Sequence, residues 1–446
     1  MNIFLGVLLG IFVMTLVVTI HEFGHFIIAK RNGVRVKEFG IGFPPKAKAW
    51  LHIPVKEVER YCQEFSFSAK KTAQFLERAK KRHKDQFIWI PLPKNYWYKK
   101  TDAGLELAEY PYLIFSLNFL PIGGFCQMDG ETNVDTRKGT FGAASLWSKT
   151  KILFAGVIMN WLLAFVILTI LAWTGLPELF KNQYRIESDT FYTETSSVVV
   201  NEVFENTPAK ASGLEKFDQI LEISSNTETK KIQSSKDLQE FNQRHLGETV
   251  TYKILKPGQS DLIQHEIKLN TADSKYALGI SMTEQGSTKY RTTWSAPIVA
   301  LVNTVQLTGE TYRGIGQLVG DALSGFFNQF SSDPEVKAVA KAKLEAAGDS
   351  VSGPVGIIGV LFPAIAQTGL TNILLLAAII SISLACMNVL PIPALDGGRW
   401  LLIALFRFLK RPLTPETESK IVSGAFMALL VLAALITILD VTKILR

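Results

Sequence analysis

Four apolar runs, Ile3–Ile20, Ile152–Leu176, Ile373–Leu390 and Ile421–Leu439, constrain this 446-residue chain more than any other feature. Crossing a hydrocarbon layer as a helix takes about 20 residues, which each run nearly or fully supplies. Inside such a layer each segment must satisfy its own backbone polar groups, so a membrane protein with four transmembrane helices is expected. The first run lacks the basic start and small-residue cleavage site of a leader peptide and is read as a span. Charge divides unevenly around these runs. Residues 30–151 carry 22 Lys/Arg against 12 Asp/Glu, a net of +10, and residues 178–291 carry 14 against 17, a net of −3. Together they equal the net charge of +7, so the rest of the chain cancels. A basic block bracketed by spans points to a membrane surface and away from nucleic acid. Basic residues mark cytoplasmic loops. Lys30, Arg31, Arg35 and Lys37 follow the first run, and Arg399, Arg407, Lys410, Arg411 and Lys420 separate the third from the fourth. Both termini and residues 177–369 are then extracytoplasmic. Three cysteines, one of them (Cys386) inside an apolar run, give no disulfide framework.

The expected order is a first span over 1–30, a basic cytoplasmic region over 31–148 and a second span over 149–176. The outer stretch follows. Ser197–Phe204, Asp218–Ile223 and Glu248–Leu255 have strand patterns, and Ser235–His245 has helical spacing. This α+β order resembles a PDZ domain over 190–285, with one departure: Phe217-Asp218 stands where that family usually has Gly-Asp. Residues 293–350 read as amphipathic surface helices plus a polar insert, and the remaining spans are expected over 371–390 and 421–441.

The chemistry concentrates in His21-Glu22-Phe23-Gly24-His25. On a helix, His at i and i+4 share a face and can bind one Zn2+, and the intervening Glu22 can serve as general base towards the water that the metal activates. Three ionisable side chains within one turn of a spanning helix are expensive unless they have such a use. Nine residues separate His21 from Lys30, so the site is expected about 13 Å inside the basic boundary. A catalytic zinc site needs a third protein ligand and one open position. His52, His83, His245 and His265 lie outside the spans and are weak candidates. Asp396 is better placed. It follows the third span within residues 391–398, where Pro391 and Pro393 break the helix and Gly397 and Gly398 permit a tight turn near the metal.

HExxH in a first span followed by Asn388-Val-Leu-Pro-Ile-Pro-Ala-Leu-Asp-Gly-Gly at a third resembles the site-2 protease family of intramembrane zinc metalloproteases. The PDZ-like stretch makes the chain similar to the bacterial RseP-like branch. The resemblance implies His21, His25 and Asp396 as zinc ligands and Glu22 as catalytic base. It implies substrate-holding roles for Asn388, for Asn160 in Gly156-Val-Ile-Met-Asn160, and for Pro391 and Pro393. Residues 117–131 look like that family's re-entrant β-hairpin, with Gly123 and Gly124 at the turn and Phe125 on an edge strand offered to an unwinding substrate. The same resemblance implies an endopeptidase of the bacterial inner membrane, acting in regulated intramembrane proteolysis with its active site near the cytoplasmic face. Its substrates would be single-span proteins already trimmed by another protease, such as anti-sigma-factor-like proteins or signal-peptide remnants. Ser352-Gly-Pro-Val-Gly-Ile also matches a family segment, without a catalytic role.

Two other readings stay open at this stage: a membrane scaffold with a structural zinc site, and a different multi-span HExxH peptidase with another third ligand. The chain departs from the family pattern between Pro44 and Tyr110. That insert carries Lys70, Lys71, Lys80, Lys81, Arg82 and Lys84 among Phe75, Leu76 and Phe87. It reads as a basic amphipathic helix on anionic membrane lipids, with Trp89, Trp97 and Tyr98 at the interface, or equally as a solvated helix. No oligomeric state follows from the sequence.

Overall fold

A computed structural model describes residues 3–445 except 82–85, 102–103, 109, 132–134, 136, 181, 233, 257–261, 272–273, 275 and 351. Arg82, His83 and Lys84 of the basic insert lie outside the described residues. Among the described residues, four helices are long and apolar enough to cross a membrane: Phe4–Arg31, Leu146–Thr174, Leu370–Val389 and Pro415–Thr442. The third stops at Val389, two residues before Pro391, as a helix must where proline removes a donor and clashes with the preceding turn. The chain divides into two compact units, one of residues 7–165, 307–362 and 376–446, the other of 1–6, 166–306 and 363–375.

In the first unit, strands Val36–Pro54 and Leu113–Met128 each double back to build one sheet. Residues 46–52 run antiparallel to 113–118, which lie beside 38–41, and those in turn pair with 124–128. Residues 87–91 add to the far side of 50–54. Among the described residues, 124–128 therefore form one outer edge and 87–91 the other. Gly123 makes the turn between the halves at φ +87°, a conformation open to glycine. Gly124 has a different reason. A Cβ there would come within 2.9 Å of the Gly40 carbonyl and 3.3 Å of the Thr19 hydroxyl on the first span. The Thr15 hydroxyl, also on that span, donates to the carbonyl of Pro121 at the hairpin tip.

The basic insert, read from sequence as a helix on lipid or equally as a solvated one, forms a core of its own. Helix Ala69–Lys80 turns Phe75 and Ala79 into a core with Leu51, Ile53, Tyr61, Ile88 and Ile90. Burying each large apolar side chain yields roughly 1.5–3 kcal/mol, so the helix covers the sheet. Trp97 is likewise buried, its indole N–H donating to the Leu92 carbonyl at 2.9 Å, and does not reach an interface.

Residues 293–350, expected as surface helices plus a polar insert, form helices Ala296–Asn328 and Pro334–Ser350. They meet where Gly325 approaches Leu344. The Ser352-Gly-Pro-Val-Gly segment acquires a structural account. The N–H groups of Gly353 and Gly356 both donate to the buried Asp440 carboxylate of the fourth span, at 2.9 Å each.

The second unit holds a sheet in the order 262–268, 249–255, 219–224, 191–203, 280–291 and 176–177. Its core includes Val198, Ile220, Leu238, Phe241 and Tyr252. Helix Ser235–Arg244 starts with a reciprocal cap between Ser234 and Asp237. Phe217 takes φ +74°, so the backbone keeps the left-handed turn that glycine favours even though the side chain differs. Beside it, Asp218 is fully buried and accepts the Glu215 N–H at 2.9 Å.

Candidate metal centre

His21 and His25 lie one turn apart on the first span and face inward, 5% and 6% exposed. Gly24 between them lets the second span approach, since a Cβ there would lie 2.5 Å from the Ala155 carbonyl oxygen. The His25 Nδ1–H donates to the Ile152 carbonyl at 2.8 Å. A carbonyl can only accept, so this bond puts the proton on Nδ1 and leaves the Nε2 lone pair free. Asp396 opens helix Asp396–Phe408. The tight turn expected at Gly397 and Gly398 is instead a first helical turn. Both glycines serve close approach, because a Cβ on Gly397 would strike Val389 and one on Gly398 would strike Ile392.

Three donor atoms converge. His21 Nε2 lies 3.1 Å from Asp396 Oδ2 and 3.2 Å from His25 Nε2, and His25 Nε2 lies 3.4 Å from Asp396 Oδ2. In a tetrahedral zinc site with bonds of about 2.0–2.1 Å, neighbouring ligand atoms stand about 3.3 Å apart. The observed triangle has those edges, and its N,N,O donor set suits zinc. No other cluster of three or more His, Cys, Asp or Glu groups of this kind occurs among the described residues.

The donors open onto a cavity of about 320 Å³ lined also by Glu22, Cys126, Met128, Glu131, Asn388 and Arg399. Thus His21, Glu22, His25, Asn388 and Asp396, singled out from sequence, share one cavity. Gly123, Gly124 and Phe125 are absent from its lining, but their strand continues into Cys126 and Met128, which line it. Pro391 and Pro393 sit in the link between Val389 and Asp396 and also stand off the lining. Asn160 is fully buried behind His21, its amide nitrogen 3.4 Å from His21 Nδ1.

Sequence reasoning passed over four contributors. Cys126 and Met128 carried a signal in the hairpin pattern, and Gly156 in the GxxxN spacing. Arg399 carried none beyond following Gly-Gly. Its guanidinium donates to the Glu131 carbonyl and lies 5.1 Å from the Phe141 ring centroid, tying the metal segment to the loop after the edge strand.

A donor triad of this kind in a chain with membrane-length helices defines a membrane metallopeptidase. Comparison with known families matches residues 9–53 and 110–433 to peptidase family M50, and the chain belongs to that family of site-2-type zinc metalloproteases. Zinc metalloprotease RasP of Shouchella clausii (strain KSM-K16) is 25% identical over 465 residues, covering 97% of each chain. Zinc metalloprotease RasP of Oceanobacillus iheyensis (strain HTE831) is 24% identical over 453 residues, covering 96% of each. The protein is a zinc metalloendopeptidase of a membrane, and zinc is its cofactor. The matched residues exclude the insert, 54–109.

Proposed function

We propose that the chain cleaves transmembrane segments of single-span proteins within the bilayer, holding zinc through His21, His25 and Asp396. The observation that carries this reading is the 3.1–3.4 Å triangle of donors beside a cavity that Glu22 also lines. When bound, zinc supplies Lewis acidity that makes water nucleophilic near neutral pH and polarises a peptide carbonyl. The Glu22 carboxylate takes the proton from the attacking water and passes it to the leaving amide nitrogen. Asn388, on the lining, offers its amide to the substrate backbone.

Asn160 acts behind the metal. Its Oδ1 is buried without a partner, while its Nδ2 faces His21 Nδ1. Exchanging the amide's N and O assignments lets Oδ1 accept an Nδ1–H from His21, which directs Nε2 at the metal.

Strand 124–128 supplies the substrate platform. An intact helix hides its backbone in internal hydrogen bonds, so cleavage requires an unwound segment, and a free edge can pair with it. Thr15 lies 15 residues before Lys30, about 22 Å along the helix, so its bond to Pro121 supports a hairpin that re-enters the bilayer. The exposed Phe119, Leu120 and Ile122 at the tip suit lipid. Basic flanks put this hairpin at the cytoplasmic face of a bacterial inner membrane, with both termini and the PDZ-like sheet outside. That outer sheet screens for substrates already trimmed by another protease, anti-sigma-factor-like proteins or signal-peptide remnants among them, within regulated intramembrane proteolysis.

Metal analysis tests the ligand set. The purified chain should carry one zinc, and His21→Ala and Asp396→Ala should each lose it while His52→Ala keeps it. Full zinc in Asp396→Ala would move the third ligand elsewhere and overturn the assignment.

A further inference from the structure

The insert outside the family match does something specific to the sheet. Its strand Phe87–Pro91 pairs with the edge at residues 50–54, in the register His52 opposite Trp89 and Pro54 opposite Phe87. Side chains alternate across the resulting surface. Leu51, Ile53, Ile88 and Ile90 point to one face and are buried in the insert's own core. His52, Phe87 and Trp89 point to the other. There the His52 ring stacks between Phe87 at 4.9 Å and Trp89 at 4.4 Å, and both flanking rings remain exposed, at 40% and 44%.

This aromatic face does not end at the insert. Trp89 meets Phe115 at 6.3 Å, Phe115 meets Phe39 at 6.2 Å, and Phe39 meets Phe23 at 6.1 Å. Phe23 belongs to the first span and is 42% exposed, on the side of that helix away from the buried His21 and His25. It lies seven residues before Lys30, hence about 10 Å along the helix from the basic boundary. The rings therefore form a track of contacts from a spanning helix to the outermost strand of the sheet, passing through Phe39, which is itself buried, so that the exposed part of the face lies at Phe87 and Trp89. Cations accompany the track: Lys30 stands 5.3 Å from the Phe26 ring, and exposed Lys48 shares its strand face with Trp50 and His52 by alternation.

We propose that the insert is a membrane-interface anchor, seating the Phe87–His52–Trp89 face in the headgroup layer on the Lys30 side of the bilayer. The packing of this sheet against the Lys30 end of a spanning helix, through Phe39 and Phe23, identifies the occupant as lipid, because exposed aromatic rings held beside that basic boundary sit at headgroup depth. Tryptophan and the basic side chains around it are suited to that layer, where a ring is half apolar and half wet. The anchor has a mechanical consequence. It grips the sheet by the edge opposite strand 124–128 and so fixes the angle at which that strand faces the cavity. The inference needs only that Phe4–Arg31 crosses the bilayer and does not depend on any catalytic role assigned above.

Spin labels on the full-length protein test it in vesicles of phosphatidylethanolamine and phosphatidylglycerol. Single Trp89→Cys and Phe87→Cys variants carry the probe, with Lys71→Cys on the exposed flank of helix Ala69–Lys80 as reference. The parental chain, whose Cys62, Cys126 and Cys386 are buried, gives the labelling blank. Labels at 87 and 89 should meet dissolved oxygen several-fold more readily than a water-soluble nickel chelate, at a depth of about 5–10 Å, with the preference reversed at 71. Chelate access at 87 and 89 equal to that at 71 would overturn the proposal. So would shielding of both labels from both reagents, since that would mean a protein partner or a second copy covers the face.

Discussion

Gly156 shows how a single absent side chain makes room for chemistry. A Cβ at this position would lie 2.6 Å from the Nε2 atoms of both His21 and His25, in the space the donors share. We expect Gly156→Val to fold, because the second span keeps its apolar character, yet to bind zinc at least about tenfold more weakly. Metal titration of the purified variant, with circular dichroism as the folding control, checks this. Among single residues, the candidate metal-binding side chains were the most legible part of the molecule. HExxH spacing on a helix is a local property, and intramembrane charge is costly enough to be conspicuous. Asp396 was legible because two prolines and two glycines announce an irregular segment, although its backbone became a helical start where a turn was expected. Asn160 was legible through the Gly156-Val-Ile-Met-Asn160 spacing, which implied a substrate-holding role. Its pairing with His21, 139 residues away, depends on how two helices rotate against each other.

Among the elements, spans were readable because hydropathy over a window fixes a transmembrane helix without reference to its neighbours. The insert was not. Its core joins alternate residues of two strands to one face of helix Ala69–Lys80; the strand Phe87–Pro91 is too short, and the helix too polar, to declare a partner alone. The junction before helix Ala296–Asn328 was equally hidden. Asp189 there accepts the backbone N–H groups of Thr293 at 3.0 Å and Ser295 at 2.9 Å, together with the Thr293 hydroxyl. Desolvation pushes this carboxyl up, but the hydrogen bonds from Ser295 and Thr293 outweigh it and hold the pKa down to about 2. A free aspartate titrates near 3.9. The folded value is the lower one, so the carboxylate's stabilisation is fully present above about pH 4 and is lost as pH falls towards about 2. Asp189→Asn should therefore flatten the acid limb of the stability profile in that window and leave its slope near neutrality unchanged. Thermal melts across a pH series read this directly.

For the whole molecule, burial ranks the spans. Half of the second span's most apolar window is buried, against none of the fourth's. The second span supplies the Ile152 carbonyl, Gly156 and Asn160 around the metal donors, whereas the fourth presents most of its surface outward. The proposed catalytic machinery thus rests on the first, second and third spans, and the fourth contributes the Asp440 clamp. The +10 block of residues 30–151 follows the span that holds both histidines, which is why charge distribution alone suggested where along the bilayer normal the site should lie. The central claim is that Glu22 moves the proton while His21, His25 and Asp396 hold the metal. Cleavage of a single-span reporter by the Glu22→Gln protein in lipid bilayers, measured beside its zinc content, tests that division of labour most directly. The account predicts zinc at the parental stoichiometry and a rate lower by at least about a hundredfold. Parental cleavage by zinc-loaded Glu22→Gln would contradict it.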